Sequence, residues 1–494
     1  VSIHWPIIKR CLSNPLAVAC VDDRRTYRRV EILIAALNLA SVLRARCASP
    51  TVGILCPTSG ATPIAALAAW MAGKAAVPLN YLLSKDELGY VIGDCGTDTI
   101  ITVGPMLEHM GFKPAVKNLL LLEDLNLGGV PEPEWPEPAA DEDLGVLLYT
   151  SGTSGRPKGV MLTHGNVCAN IRQILKCVTL TPRDTILGVL PQFHSFGLTV
   201  LTLMPLTAGI RTVFAARFVP HRIIRSFRDH HPTFFVAIPS MYNALLAVKD
   251  AGPEDFASLR YCVSGAEPLP DAVSGKFMER FGVRISEGYG LTETSPATNI
   301  CLAHNFRPHS VGPVFPEMEQ VIVDPVSEEE LPAGMDGEIR MRGPNVMAGY
   351  YKLPEETRGV FDRRGYFKTG DIGRFDRDGF LYITGRLKEM MIVGGENVFP
   401  REIEDVLNRH PDVDVSGVTS VHDPMRGEVP VAFVQIREGH RFDEASLFEH
   451  CRASLAGYKV PRWIRQLEQM PRNPTGKVMR RELKARVQGS GVGG

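Results

Sequence analysis

Between residues 143 and 287 the sequence alternates short apolar runs with segments of helical length, and this alternation restricts the fold more than any other feature. Leu144-Gly145-Val146-Leu147-Leu148-Tyr149 predicts a buried strand, and further strands are expected at 185–190, 210–214, 233–238, 260–264 and 283–286. Between them, 220–230, 239–248 and 270–281 carry apolar residues at helical spacing. Continuous apolar strands separated by helices make a mainly parallel sheet with helices on both faces. A weaker version of the pattern occupies 33–103, and the Pro/Glu-rich stretch 131–138 reads as an extended, solvated connection between the halves. After Gly312, short strands and Gly/Asp turns predict a small barrel-like β region that ends near 379–385. An α+β module follows, with helices at 402–409 and about 443–455 and strands at 415–421 and 431–436. The expected class is α/β: a large N-terminal domain of helix-covered, mainly parallel sheets plus the barrel-like region, then a small α+β C-terminal domain.

A chain of 494 residues exceeds the roughly 250–300 residues that one core usually holds, which agrees with two domains. Lys and Arg number 54 against 55 Asp and Glu, so no global positive charge draws the chain to nucleic acid or an anionic membrane. The ten cysteines are scattered, without a C-x-x-C pair or zinc spacing, and most sit among aliphatic residues. Buried reduced thiols in the cytoplasm are expected. Val1-Ser2-Ile3-His4-Trp5-Pro6 shows no signal peptide, and the missing Met leaves room for a longer polypeptide. Residues 185–210 lack Asp, Glu, Lys and Arg and are long enough to span a bilayer. They also contain Pro191, Gln192, His194, Ser195, Gly197 and Pro205, so a buried strand, a loop and a buried helix of a soluble chain are expected, with no integral membrane segment.

The first chemical motif is Tyr149-Thr150-Ser151-Gly152-Thr153-Ser154-Gly155-Arg156-Pro157-Lys158-Gly159. Placed after a strand and before a helix expected from about Asn166, it can cradle phosphate oxygens with backbone N–H groups and hydroxyls. It is not a Walker A loop, which needs Gly at Pro157 and Ser or Thr at Gly159. Further along stand Ser264-Gly265-Ala266-Glu267-Pro268-Leu269, Glu287-Gly288-Tyr289-Gly290-Leu291-Thr292-Glu293-Thr294 and Tyr366-Phe367-Lys368-Thr369-Gly370-Asp371. Gly385-Arg386-Leu387-Lys388-Glu389, Gly394-Gly395-Glu396 and Pro474-Thr475-Gly476-Lys477-Val478 complete the series. In content and order these resemble the motifs of the adenylate-forming superfamily: acyl-CoA synthetases, luciferases and peptide-synthetase adenylation domains. The resemblance covers essentially the whole chain, and its hinge motif implies a large domain, 1–387, and a small mobile domain, 388–494.

It implies attack of a carboxylate on the α-phosphate of ATP, which is chiefly charge neutralisation and in-line positioning. Glu293 is implied as the Mg2+ ligand, Thr292 as an α-phosphate donor and Lys158 as the loop cation over the β- and γ-phosphates. Lys477 is the implied catalytic cation, carried in by rotation about the hinge at Lys388. Tyr289 should stack on adenine, Asp371 should accept the ribose hydroxyls, and Arg386 should donate to ribose or phosphate. Further cofactor contacts are implied at Thr150, Ser151, Gly152, Thr153, Ser154, Gly155, Gly265, Ala266, Glu267, Gly288, Gly290, Ile383 and Gly395. Arg452 to Arg486 holds ten Lys/Arg and two Glu, a net of +8 around Lys477, either a solvated face or one turned to an anionic cofactor.

Gln192-Phe193-His194-Ser195-Phe196-Gly197 corresponds to the start of the family's acyl pocket, with Phe193, His194 and Gly197 as pocket residues and His194 as a gate. Amino-acid-activating members place an aspartate here for the substrate ammonium; this chain has no carboxylate between 185 and 210. The run looks most like fatty acyl-CoA and acyl-carrier-protein synthetases. The expected reaction is activation of a hydrophobic, medium- or long-chain fatty acid to acyl-AMP, with pyrophosphate released, and transfer to coenzyme A. Transfer to acyl carrier protein, arrest at acyl-AMP, coumarate-type aryl acids, a luciferase-like oxidoreductase and a silent binding module are the alternatives.

Overall fold

A computed structural model describes residues 2–151, 156–472 and 478–489. Two large sheets dominate the N-terminal part. One has eight strands, ordered Ala297–Ile300, Ser286–Gly290, Tyr261–Ser264, Phe234–Ala237, Thr185–Gly188, Arg211–Phe214, Val18–Val21 and Thr26–Arg28. Its six inner strands run parallel, and both edge pairs are antiparallel. The other has seven strands: Gly349–Tyr350, Pro157–Thr163, Leu144–Ser151, Ala75–Pro78, Thr51–Leu55, Thr99–Thr102 and Asn118–Leu121.

The intervening helices form for local reasons. Pro220–His230 starts on proline, buries Ile223, Ile224 and Phe227 as one stripe, and stops where His231 turns left-handed at φ 45°. Lys85–Cys95 is closed by Ser84 and Glu87 as a capping box and ended by Gly96 at φ 66°. Phe227, Phe235, Tyr242, Phe256 and Phe277 pack ring to ring between helices and the eight-stranded sheet, each at most 1% exposed. Burying each such side chain is worth about 1.5–3 kcal/mol.

Three expectations need correction. The Gly/Ser motif does not run from a strand into a helix. Leu144–Ser151 and Pro157–Thr163 form an antiparallel hairpin, with Thr150 opposite Lys158, and the helix His164–Cys177 begins only after the second strand. The motif therefore links two antiparallel strands, and the helix-terminus argument for its phosphate binding does not apply. Residues 152–155, Gly152, Thr153, Ser154 and Gly155, lie outside the described residues. Second, the stretch 131–138 does not separate two independent sheets. The hairpin joins the N-terminal sheet, with Val146 beside Ala76, while Val18–Val21 crosses to the later sheet beside Arg211–Phe214. The stretch itself is exposed and irregular as expected, and Arg44 holds it by donating to the backbone oxygen of Trp135. Third, the strand expected at 283–286 begins at Ser286, so the Glu287–Gly290 motif is itself strand.

Strands Glu319–Val323, Gly337–Arg342, Phe367–Phe375 and Leu381–Arg386 make a separate four-stranded antiparallel sheet. The C-terminal module has its own five-stranded sheet and its own core, from Met391 to Ile464, distinct from the large core that ends at Leu381. All ten cysteines are unpaired, and eight are buried. Among the described residues no helix is long and apolar enough to cross a membrane. The segment tested for that is strand Thr185–Gly188, a loop, and a π-helical stretch Phe196–Leu203 running into helix Met204–Ala208.

Candidate active site

The parallel strands of the eight-stranded sheet deliver one group of the predicted residues to one edge, as parallel sheets do at their carboxyl ends. Thr185–Gly188 leads to Phe193 and His194, Tyr261–Ser264 leads to Gly265, Ala266 and Glu267, and Ser286–Gly290 carries Gly288, Tyr289 and Gly290.

Strand Ser286–Gly290 turns back through Thr292–Thr294 into Ala297–Ile300. Glycine is required at 290, because a Cβ there would lie 2.0 Å from the Pro296 carbonyl oxygen. The turn is braced from beneath. Asn345 donates to the Thr294 carbonyl (2.8 Å), Ser295 donates to the Asn345 carbonyl (2.9 Å), and the Met347 N–H donates to the Glu293 carbonyl (2.8 Å). Thr292 and Glu293 thus project from a fixed turn.

Asp371 is 2% exposed, and each of its oxygens has a partner. Tyr289 donates its hydroxyl at 2.6 Å, and Arg386, its cross-strand neighbour, approaches through Nε at 2.8 Å. Burial, with Asp371 beside it, raises the Tyr289 phenol well above its ordinary range, so it stays a donor. Glu293 accepts from the Tyr350 hydroxyl at 3.0 Å, and burial raises its carboxyl above the usual value. Lys158 pairs with Glu356 and lies 5.6 Å from the Tyr350 ring centre. Tyr149, paired with Gly159 near the loop end of the two strands, donates to Asp94 at 2.5 Å.

The segment 192–197 meets this turn directly, with Ser195 Oγ 3.4 Å from Thr292 Oγ1. Phe196 packs against Gly265, where a Cβ would come within 2.7 Å of the ring. Gly197 sits so close to the Pro191 carbonyl that a Cβ would lie 2.1 Å from its oxygen. Phe193 stacks between Tyr81 (4.7 Å, edge-on) and His194 (4.4 Å). Water can reach the His194 ring, yet protein surrounds it closely enough that burial pushes its pKa down to about 4. Near pH 7 His194 is therefore a neutral imidazole that offers a hydrogen bond, not a charge.

A cleft of about 1220 Å3 separates the C-terminal module from this edge. It is lined by Glu267, Glu287, Ile383, Phe399, Arg401 and Asp405, among others, and does not reach Thr292, Glu293 or Lys158. Burial raises Glu287 to about 7, with Arg401 pulling it back. Lys388 is exposed in the single turn Leu387–Glu389, and the neighbouring Glu389 pairs with Arg480 at 2.6 Å. Gly394 and Gly395, at φ 62° and 93°, form the two-residue turn of a hairpin, which needs positive φ at both positions. Lys477 lies outside the described residues, and of Ser151 only the backbone is described.

Residues 9–351 match the model of the AMP-binding enzyme family, and residues 402–477 match that of the AMP-binding enzyme C-terminal domain. The chain belongs to the AMP-binding enzyme family. This adenylate-forming ligase is 32% identical to a feruloyl-CoA synthase of Amycolatopsis sp over 98% of each chain. It is 37% identical to a long-chain-fatty-acid–CoA ligase of Bacillus subtilis over 70% of this chain and 62% of that one. Among solved structures, ATP-bound MatB from Rhodopseudomonas palustris superposes with a TM-score of 0.91 at 29% identity, over 99% of both chains. Like the AMP-binding ligases it resembles, the chain is an acid–thiol ligase of the acyl-CoA synthetase type.

Tyr350, Glu356, Ser195 and Asn345 were not anticipated from the sequence. The signal for two of them was present: Gly349-Tyr350-Tyr351 followed by Pro354-Glu355-Glu356 reads as a short strand and a proline-started helix with acids in its first turn.

Proposed function

We propose that this ligase activates a hydrophobic carboxylic acid, a medium- or long-chain fatty acid, and passes the acyl group to coenzyme A. The observation that carries the reading is the apolar, carboxylate-free segment 185–210, which holds neutral His194 and meets the Thr292 turn through Ser195. A substrate ammonium set against this segment would find no counter-ion on it.

In the first step a carboxylate oxygen attacks the α-phosphorus of ATP, and pyrophosphate leaves. In the second the thiol of coenzyme A attacks the acyl carbonyl, loses its proton, and AMP leaves. Asp371 and Tyr289 hold the ribose and adenine end, Arg386 donates to ribose or phosphate, and Thr292 donates to the α-phosphate. Thr150 and Ser151, with Gly152 to Gly155, place the β- and γ-phosphates against Lys158. Gly265, Ala266, Glu267, Gly288 and Gly290 wall the nucleotide, and Ile383 lines its cleft. Glu293 suits Mg2+, which takes one or two carboxylates and completes its shell with phosphate oxygens. Bound there, Mg2+ would supply charge neutralisation of the triphosphate.

The separate cores support a boundary at 387/388, with rotation at Lys388 bringing Lys477 in for the first step. Rotated the other way, Gly394-Gly395-Glu396 would shape the thiol channel for the second. Ten unpaired cysteines support a reducing, cytoplasmic setting. A second reading, an aryl acid, is favoured by the aromatic wall of Tyr81 and Phe193 and by the full-length likeness to a feruloyl-CoA synthase.

The test is AMP release with ATP, Mg2+ and CoA across acids from acetate to palmitate, benzoate, coumarate and leucine. Octanoate to palmitate should be preferred, and leucine should fall at least 100-fold below its des-amino analogue in kcat/KM, the effect of about 3 kcal/mol for an unpaired buried ammonium. Leucine accepted as readily as the analogue contradicts the reading; coumarate preferred over every aliphatic acid replaces it with the second.

A further inference from the structure

The Lys158 ammonium already has a counter-ion, and the fold is built to put it there. Strand Gly349–Tyr350 pairs with the second strand of the loop hairpin, Gly349 opposite Met161 and Tyr350 opposite Val160. The Tyr351 N–H donates to the Gly159 carbonyl at 2.7 Å. Helix Pro354–Gly359 follows at once and is folded back on the strand by Thr357. The Tyr350 N–H donates to Thr357 Oγ1 (2.9 Å), and that hydroxyl donates to the Leu353 carbonyl (2.9 Å). Gly349 permits the approach: its φ is 142°, and a Cβ would lie 2.5 Å from Thr357 Cγ2.

This folding sets the Glu356 carboxylate on Lys158 Nζ, while the same ammonium faces the Tyr350 ring whose hydroxyl donates to Glu293. An acid in a first helical turn is ordinarily explained by the helix dipole. Glu355 fits that account, since it pairs with Arg358 on its own helix. Glu356 reaches instead across to the loop hairpin.

We propose that Glu356 is a positioning residue for adenylation, holding Lys158 against Tyr350 and competing with the phosphates of ATP for it. Binding of ATP and departure of pyrophosphate then each exchange one anion for another at Lys158, so neither event leaves the ammonium bare. The proposal rests on Lys158 meeting the β- and γ-phosphates. The pair is partly exposed, 22% and 40% for the two side chains, so the competition is modest and screened by salt.

The experiment is acid-dependent ATP–pyrophosphate exchange with Glu356→Gln, Glu356→Asp, Lys158→Gln and the double variant Lys158→Gln/Glu356→Gln. Glu356→Gln should lower the KM for ATP and the inhibition constant of pyrophosphate about 2–5-fold, the range open to a partly exposed ion pair. The effect should lie in KM and not in kcat, shrink in high salt, revert toward wild type in Glu356→Asp, and vanish in the Lys158→Gln background. An unchanged or raised KM for ATP in Glu356→Gln overturns the proposal, as does an equal effect in the absence of Lys158. If Lys158→Gln alone leaves the KM for ATP unaltered, the assigned role of Lys158 fails first and takes the proposal with it.

Discussion

The Tyr289 hydroxyl donates to Asp371 across 2.6 Å, joining strand Ser286–Gly290 of the eight-stranded sheet to strand Phe367–Phe375 of the four-stranded antiparallel sheet. Arg386 takes the other carboxylate oxygen, so the orientation of Asp371 is set before any ribose meets it. Removing the phenol should loosen that carboxylate while leaving the ring. Tyr289→Phe is expected to reduce the kcat/KM for ATP by roughly 10–100-fold, the effect of about 1.5–3 kcal/mol for a hydrogen bond to a charged group. Isothermal binding of AMP should weaken in parallel; AMP affinity unchanged would show that Asp371 needs no such support.

Gly290 is the tightest point of the turn that carries Thr292 and Glu293. A methyl group there would overlap the Pro296 carbonyl oxygen at 2.0 Å, and backbone rather than a flexible side chain would have to move. Gly290→Ala should lower the melting temperature and abolish exchange activity, at a cost on the order of 3 kcal/mol or more. Full activity at an unaltered melting temperature would contradict the packing described for this turn.

His164 gives the fold a pH dependence whose sign is fixed. Its Nδ1 accepts from the Ile3 N–H at 3.1 Å, and burial lowers its pKa from 6.5 to about 4. The unfolded chain therefore binds the extra proton more readily than the folded one. Stability from this group is complete above about pH 6.5 and is lost as pH falls toward 4, by about 3 kcal/mol at the limit. Glu287, raised to about 7, works in the opposite direction over a similar range, so the test is a difference. The melting temperature should drop less between pH 7 and pH 5 in His164→Gln than in wild type; equal slopes would remove His164 as a cause.

Much of this architecture was legible because its signals are local. Apolar runs and proline-started helices located the elements between 185 and 281 to within a few residues. Strand Pro157–Thr163 escaped notice because it opens Pro-Lys-Gly, a turn composition, and its partner strand lies across a Gly/Ser tip. The crossing of Val18–Val21 into the later sheet is a long-range pairing with no local trace. At the site, the sequence pointed to the motif residues, but not to the Asn345 brace or the Glu356 partner of Lys158. Those depend on which short segments the turns bring together, and no periodicity encodes that.

The two half-reactions should separate genetically. Lys477→Ala should slow acyl-AMP formation about 10²–10³-fold, as loss of one preorganised donor does, and leave transfer from supplied acyl-AMP to CoA nearly intact. Lys388→Pro should do the reverse, because fixing φ in the exposed turn Leu387–Glu389 hinders rotation without disturbing the adenylating pose. Single-turnover assays of each step check both; equal slowing of the two steps by Lys477→Ala would contradict the assignment.

Exchange of labelled pyrophosphate into ATP in the absence of CoA addresses the central claim, that one site first makes an acyl adenylate from a hydrophobic acid. A fatty acid such as octanoate or palmitate should drive the exchange, its omission should stop it, and Asp371→Ala or Glu293→Ala should abolish it. Exchange that proceeds without any acid, or that appears only when CoA is added, would contradict the account.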